Sequence, residues 1–310
     1  MKKHIMWYTE EKVSLRRINM KCELINFLAD DGVKLDGFIK RCNEKTDNVL
    51  ISIHGMTSNC FKKRDRIIAN YIEKLGIDMI GFNNRGSDIV RYIRYSDESK
   101  AIAGTAYENI EDSYYDIVGA IKYAMQQGYK NIYLHGHSLG CTKIIYSYNR
   151  MKKNKEFCIE YVKGIMLISL VDVANLLRKH TKKEFMDYAE NKEAEGKELE
   201  LMPAKAFFHP ISVKTFLKYT KYMECINFAQ FSDENNDFEV INSIDIPLFM
   251  RWGNVKEMIE READNQVQFM NKKIINPQKD INFIDGANHS FDGKEEILAS
   301  QICDFLKKYN

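Results

Sequence analysis

The sequence predicts an α/β protein built on a mostly parallel sheet with helices on both faces, and three observations carry that expectation. Short apolar runs of strand length alternate with stretches of helical period. The intervals between the runs are long enough for crossover connections. The polar motifs fall at the carboxyl ends of the runs, where open sheets of this class gather their ligands.

In chain order, residues 22–41 read as two strands joined at Ala29-Asp30-Asp31-Gly32, because Asp-Gly between β-rich runs is a hairpin signal. Residues 48–53 form an apolar run with little polar alternation, as expected of a buried central strand, and lead into His54-Gly55-Met56-Thr57. A helix is expected over about 62–75, stopped by Gly76. The next strand, 77–82, runs into Asn83-Asn84-Arg85-Gly86. After an irregular loop, apolar residues at 110, 114, 117, 118, 121 and 125 form a helical stripe ending at Gly128. Further strands are expected at 131–135, 162–170, 246–252 and 281–284, with a closing helix over about 293–308.

Residues 173–242 break this rhythm with a charged, helical interval. Thr181-Lys182-Lys183-Glu184 has the form of a capping box, and Ser212 is placed to cap a second helix bearing Val213, Phe216 and Leu217. Phe207-Phe208-His209-Pro210 lies between them. The expected organisation is a core over 1–172, a helical cap or lid over 173–242, and the rest of the core over 243–310.

Composition narrows the function classes. Across 310 residues the formal net charge is +2, so the balance gives no reason to expect nucleic acid as a partner. The seven cysteines are scattered, with no C-x-x-C pair, which argues against a disulfide framework or a metal site and favours a reducing compartment. The first eleven residues carry no sustained apolar segment, and no run approaches bilayer-spanning length. A cytoplasmic protein with no membrane span is expected.

The chemistry centres on Gly136-His137-Ser138-Leu139-Gly140, between a β-rich run and a helical one. Glycines at 136 and 140 let strand and helix approach closely, so that Ser138 sits strained at the tip with its hydroxyl exposed. The Leu139 N–H, at the helix start, then faces developing negative charge. A serine hydroxyl needs a base, and the base needs an orienting acid. His289, in Gly286-Ala287-Asn288-His289, is the one histidine in a loop between the last strand and the last helix. His54 and His135 read as structural, and His137 is expected to point away from the nucleophile. For the acid, Glu257 is the first carboxylate after the 246–252 strand, and Asp172, at the end of the preceding strand, is the alternative. Asp264, Glu260 and Asp285 also stay open. The second oxyanion donor is expected from the loop after His54-Gly55, as the Met56 N–H, with Thr57 as runner-up.

Taken together, His54-Gly55, Asn84-Arg85-Gly86, the Gly136–Gly140 turn and the Gly286–His289 loop resemble the α/β-hydrolase superfamily over almost the whole chain. That resemblance implies an α/β-hydrolase fold with about eight mostly parallel strands, a helical cap after the sixth, and a Ser–His–acid hydrolase needing no cofactor. More loosely, Gly104-Thr105-Ala106-Tyr107-Glu108 looks like a loop of siderophore-ester hydrolases. One departure matters. The superfamily's commonest acid loop has Asp about three residues after the Gly, and here that position is Lys256. The expected activity is a carboxylesterase acting on a small-molecule ester. The alternatives are a peptidase, amidase or thioesterase with the same residues, or a non-catalytic small-ligand receptor.

Overall fold

The computed structural model describes residues 20–309; the expectation about the first eleven residues lies outside them. The elements run β1 (Glu23–Leu28), β2 (Lys34–Lys40), β3 (Asn48–Ile53), α1 (Lys63–Ile72), β4 (Asp78–Asn83), β5 (Arg91–Arg94), β6 (Lys100–Ala103), α2 (Ser113–Gln126), β7 (Asn131–His137) and α3 (Leu139–Asn154). They continue with β8 (Val162–Ile168), α4 (Val173–His180), α5 (Lys183–Ala194), α6 (Val213–Thr220), α7 (Glu239–Asn242), β9 (Leu248–Gly253), α8 (Ala263–Lys273), β10 (Lys279–Ile284) and α9 (Glu295–Leu306).

Eight strands form one sheet in the order β1-β2-β4-β3-β7-β8-β9-β10. Only β1–β2 and β2–β4 pair antiparallel; every other neighbouring pair is parallel. Period-two alternation divides the core. Val49, Ile51 and Ile53 of β3 join Ile117, Ile121 and Ile144 from α2 and α3 on one face. Leu50 and Tyr133 face the other way, onto Ile68, Ile72, Leu298 and Ile302 from α1 and α9. The chain leaves β3 toward β4 and later returns to its other flank with β7, so the switch point of the topology lies between the ends of β3 and β7. Crevices at such points collect ligands.

The expected hairpin, the central strands and the stop at Gly76 (φ 69°) are present. The interval expected to be irregular after β4 instead holds the two-stranded β5–β6 sheet. The periodicity reading also passed over α4 and α8, each shorter than twelve residues. The capping box at Thr181 is not formed. The Thr181 hydroxyl donates to the Leu177 carbonyl at 2.7 Å, and α5 begins after Lys182 with no side-chain cap. A closer acceptor in the last turn of the preceding helix wins the hydroxyl. Ser212 does cap α6, accepting from the Thr215 N–H.

Helices α4, α5 and α6 share a third apolar cluster of Val173, Leu177, Ala189, Phe216 and Leu217, which also takes in Ile110 and Leu139. The excursion between β8 and β9 therefore packs onto the first residue of α3, beside the nucleophile turn. No helix among the described residues is long and apolar enough to cross a membrane.

Candidate active site

Ser138 occupies the turn between β7 and α3 with φ 55° and ψ −124°. For a non-glycine residue this conformation costs of order 1–3 kcal/mol and persists only where the surroundings impose it. Here they do. The Ser138 N–H donates to the Ile168 carbonyl at 2.9 Å, and its own carbonyl accepts from the Cys141 N–H at 2.9 Å. A Cβ at Gly140 would stand 2.2 Å from the Ile53 carbonyl oxygen. The glycine thus admits the end of β3 against α3, as well as the strand-to-helix turn for which the sequence motif argues.

Gly55 makes the second close approach. A Cβ there would lie 3.0 Å from Ser138 Cβ and 3.3 Å from the Leu139 nitrogen, so the loop after β3 runs directly beside the start of α3. Leu139 opens α3, and its N–H precedes the helical ladder and has no helical acceptor. The Thr57 N–H is already committed, donating to Thr105 Oγ1 at 2.9 Å. Of the two donors weighed for this loop, Met56 is the one left for an oxyanion.

His289 and Ser138 line the same cavity. His289 Nδ1–H donates to Glu257 Oε1 at 2.5 Å. That bond fixes the tautomer with the proton on Nδ1 and leaves Nε2 free to accept one. The Glu257 side chain is 2% exposed. Burial pushes its carboxyl up, but the contacts to His289, Ser169 and the Gly253 N–H outweigh burial and hold it below the ordinary carboxylate range. Its Oε2 accepts from Ser169 Oγ at 2.7 Å and from the Gly253 N–H at 3.0 Å, while Oε1 also accepts from the Met258 N–H at 2.9 Å.

The other carboxylates are placed elsewhere. Asp172 accepts from the Asn175 N–H as the cap of α4, with burial raising its carboxyl. Glu260 pairs with Lys179, and Asp285 accepts from Asn254 Nδ2. Asp264 lies in the first turn of α8, where a negative charge complements the helix dipole. Lys256, at the position where an Asp is commonest, takes up a left-handed turn with φ 50°. The carboxylate on His289 therefore comes one residue later, from the longer glutamate.

The histidines divide as their burial dictates. His54 and His135 are fully buried, and burial pushes them down to about 3 and about 4. His137 has a role the sequence reading missed: its Nε2–H donates to the His289 backbone carbonyl at 2.7 Å, fastening the loop that carries His289. Ser169 was missed as well. It is buried with φ 51°, and its hydroxyl approaches both Glu257 Oε2 and the His289 carbonyl, the latter at 3.2 Å. His137 fills a variable position of the turn motif and Ser169 lies in no motif, and both act on partners distant in sequence. A third omission left a signal: Lys143 stands among apolar neighbours on α3, and it forms a wholly buried ion pair with Glu108 while donating to Asn84 Oδ1 at 3.1 Å.

The cavity has a volume of about 950 Å³. Its lining includes the apolar Val171, Leu176, Leu177, Phe207 and Phe208 and the first residues of α1. Among the described residues, no group of His, Cys, Asp and Glu is arranged to hold a metal ion.

The chain has the α/β-hydrolase fold. It is similar to Est1E from Butyrivibrio proteoclasticus, solved with ferulic acid bound, at a TM-score of 0.63 and 14% identity, covering 91% of this chain and 98% of that one. The α/β hydrolase GrgF from Penicillium sp. sh18 aligns with a TM-score of 0.65 at 16% identity, over 94% of this chain and 99% of GrgF. The Pyrococcus furiosus esterase Pf2001 gives 0.58 at 17% identity, over 94% and 92%. No family model matches the sequence, and no curated protein matches it.

Proposed function

We propose that this chain is a serine hydrolase that cleaves a carboxylic ester of a small molecule through an acyl-enzyme. The observation that carries the reading is the 2.5 Å bond from His289 Nδ1 to the buried Glu257, with His289 and Ser138 on one cavity. Ser138 Oγ attacks the ester carbonyl carbon as His289 Nε2 takes its proton. The tetrahedral oxyanion lies against the Met56 and Leu139 N–H groups, which need no reorganisation when charge appears. The intermediate collapses, the C–O bond to the alcohol breaks, and His289 returns the proton to the leaving oxygen. Water then gives a proton to His289 and attacks the acyl-enzyme, releasing the acid and restoring the Ser138 hydroxyl.

In this reading residues 173–242 act as a lid. The apolar cluster joining α4, α5 and α6 to Leu139 supports that role, as do Phe207 and Phe208 on the cavity wall. Pf2001, an esterase of the same fold, favours an ester over an amide or thioester for this chain.

A fluorophosphonate probe tests the proposal. It should attach to Ser138 in folded protein, and Ser138→Ala should abolish both labelling and turnover of 4-nitrophenyl esters. Folded protein that neither labels nor turns over esters, amides or thioesters would overturn it and favour a ligand-binding role.

A further inference from the structure

The start of α1 also lines the cavity, through Lys62, Lys63 and Arg64. Lys62 stands at the N-cap with no side-chain cap hydrogen bond, so the first N–H groups of a ten-residue helix open without an anionic side chain of their own at the cap. Such an end carries partial positive charge and favours anions. A second observation points the same way. Arg64 is buried, with its side chain 6% exposed, and its Nε and Nη2 donate to Asp65. Its Nη1 has no protein partner among the described residues and is not closed off from solvent, so its N–H groups stay free to donate.

Of the acids near these groups, Asp65 takes Arg64 and Glu295 takes Lys63 at 2.7 Å, while Asp292, accepting from Asn288 Nδ2, has no ion-pair partner among the described residues. Lys62 and Lys205, which both line the cavity, have no ion-pair partner among the described residues. An uncapped helix end, one free guanidinium edge and two unpaired lysines converge on the cavity that holds Ser138 and His289.

Resting on the proposed esterase reading, we infer that the substrate is an ester bearing a carboxylate, held by Arg64, Lys62 and the α1 N-terminus while its apolar portion lies against Phe207 and Phe208. A carboxylate suits a planar guanidinium edge, and a site that excludes water strengthens the pairing.

Two pairs of esters test this. 4-Nitrophenyl butyrate is compared with the 4-nitrophenyl half-ester of adipic acid, which places the carboxylate on the acyl side. Phenyl butyrate is compared with 3-carboxyphenyl butyrate, which places it on the alcohol side. The anionic member of at least one pair should have a kcat/KM about tenfold higher, as a charge-assisted hydrogen bond supplies. That ratio should fall toward unity in Arg64→Gln, be only partly retained in Arg64→Lys, which keeps the charge without the planar edge, and shrink with added salt in wild type. If Arg64→Gln does not fold, Lys62→Gln, at an exposed position, carries the same comparison. Neutral esters preferred in both pairs, or a ratio unmoved by Arg64→Gln or Lys62→Gln, would overturn the inference while leaving the esterase reading intact. Loss of all ester turnover and of Ser138 labelling in the wild type would remove both.

Discussion

The Ser169 hydroxyl donates to Glu257 Oε2 at 2.7 Å, linking the end of β8 to the loop after β9. Through this contact the carboxylate that holds His289 is itself held, from a serine whose left-handed backbone (φ 51°) costs free energy to maintain. Ser169→Ala should lower kcat about tenfold, the order of one hydrogen bond to a charged group, with KM little changed. Glu257→Gln should cost far more, about 10⁴-fold in kcat, because the neutral amide no longer stabilises an imidazolium. The pH–rate profile separates positioning from simple structural damage. Its acid limb should move in Ser169→Ala, whereas a variant that is merely destabilised would keep the limb and lose amplitude.

Gly55 sets the gap between the loop after β3 and the turn that holds Ser138. A methyl group there meets the His137 carbonyl oxygen at 2.8 Å and Ser138 Cβ at 3.0 Å, the former being backbone that yields little. Gly55→Ala should therefore displace the Met56 N–H. A displacement of about 1 Å in a reacting geometry costs about a hundredfold in rate. Steady-state kinetics on 4-nitrophenyl butyrate check this, and unchanged kcat would place the second oxyanion donor elsewhere.

The ion pair between Lys143 of α3 and Glu108 is wholly buried. The contact is ionic, since neither Glu108 oxygen has an aligned hydrogen-bond donor. Removing one partner strands the other, so Glu108→Gln should cost about 3–5 kcal/mol of unfolding free energy. Replacing both with apolar residues, Glu108→Leu with Lys143→Met, should recover much of that. Denaturant midpoints measured on the single and double variants decide it.

Stability should fall steeply in mild acid. Burial depresses His54 and His135 to about 3 and about 4, while in the unfolded chain a histidine titrates near 6.5. Below that pH the unfolded state binds protons that the folded state refuses. The stabilisation present at neutral pH is thus lost progressively between about pH 6.5 and pH 4. Each such histidine contributes a slope of about 1.4 kcal/mol per pH unit across that window. Replacing His135 with Leu should flatten the dependence by about that amount, read from unfolding free energies at pH 7, 6 and 5.

Much of the arrangement was legible in order along the chain. Asp31-Gly32 marked the hairpin, the unalternating run at 48–53 marked a central strand, and Gly136-x-Ser138-x-Gly140 marked the turn that holds Ser138. The capping box at Thr181 misled because capping depends on which acceptor is nearest, and the Leu177 carbonyl is invisible in a four-residue pattern. Helices α4 and α8 escaped, whereas the comparably short α1 and α6 carried a stop signal at Gly76 and a cap at Ser212.

Local sequence determined the layered sheet, the strained serine and the loop histidine, because backbone sterics and hydrophobic period act over a few residues. The tertiary structure alone decided which carboxylate meets His289. Glu257, Asp172, Glu260, Asp264 and Asp285 are chemically equivalent as a string, and they are distinguished only by which one the β8–β9 strand ends bring within 2.5 Å of Nδ1. It alone revealed Ser169, His137 and the free edge of Arg64, since each acts on a partner or cavity that folding, not sequence, places beside it.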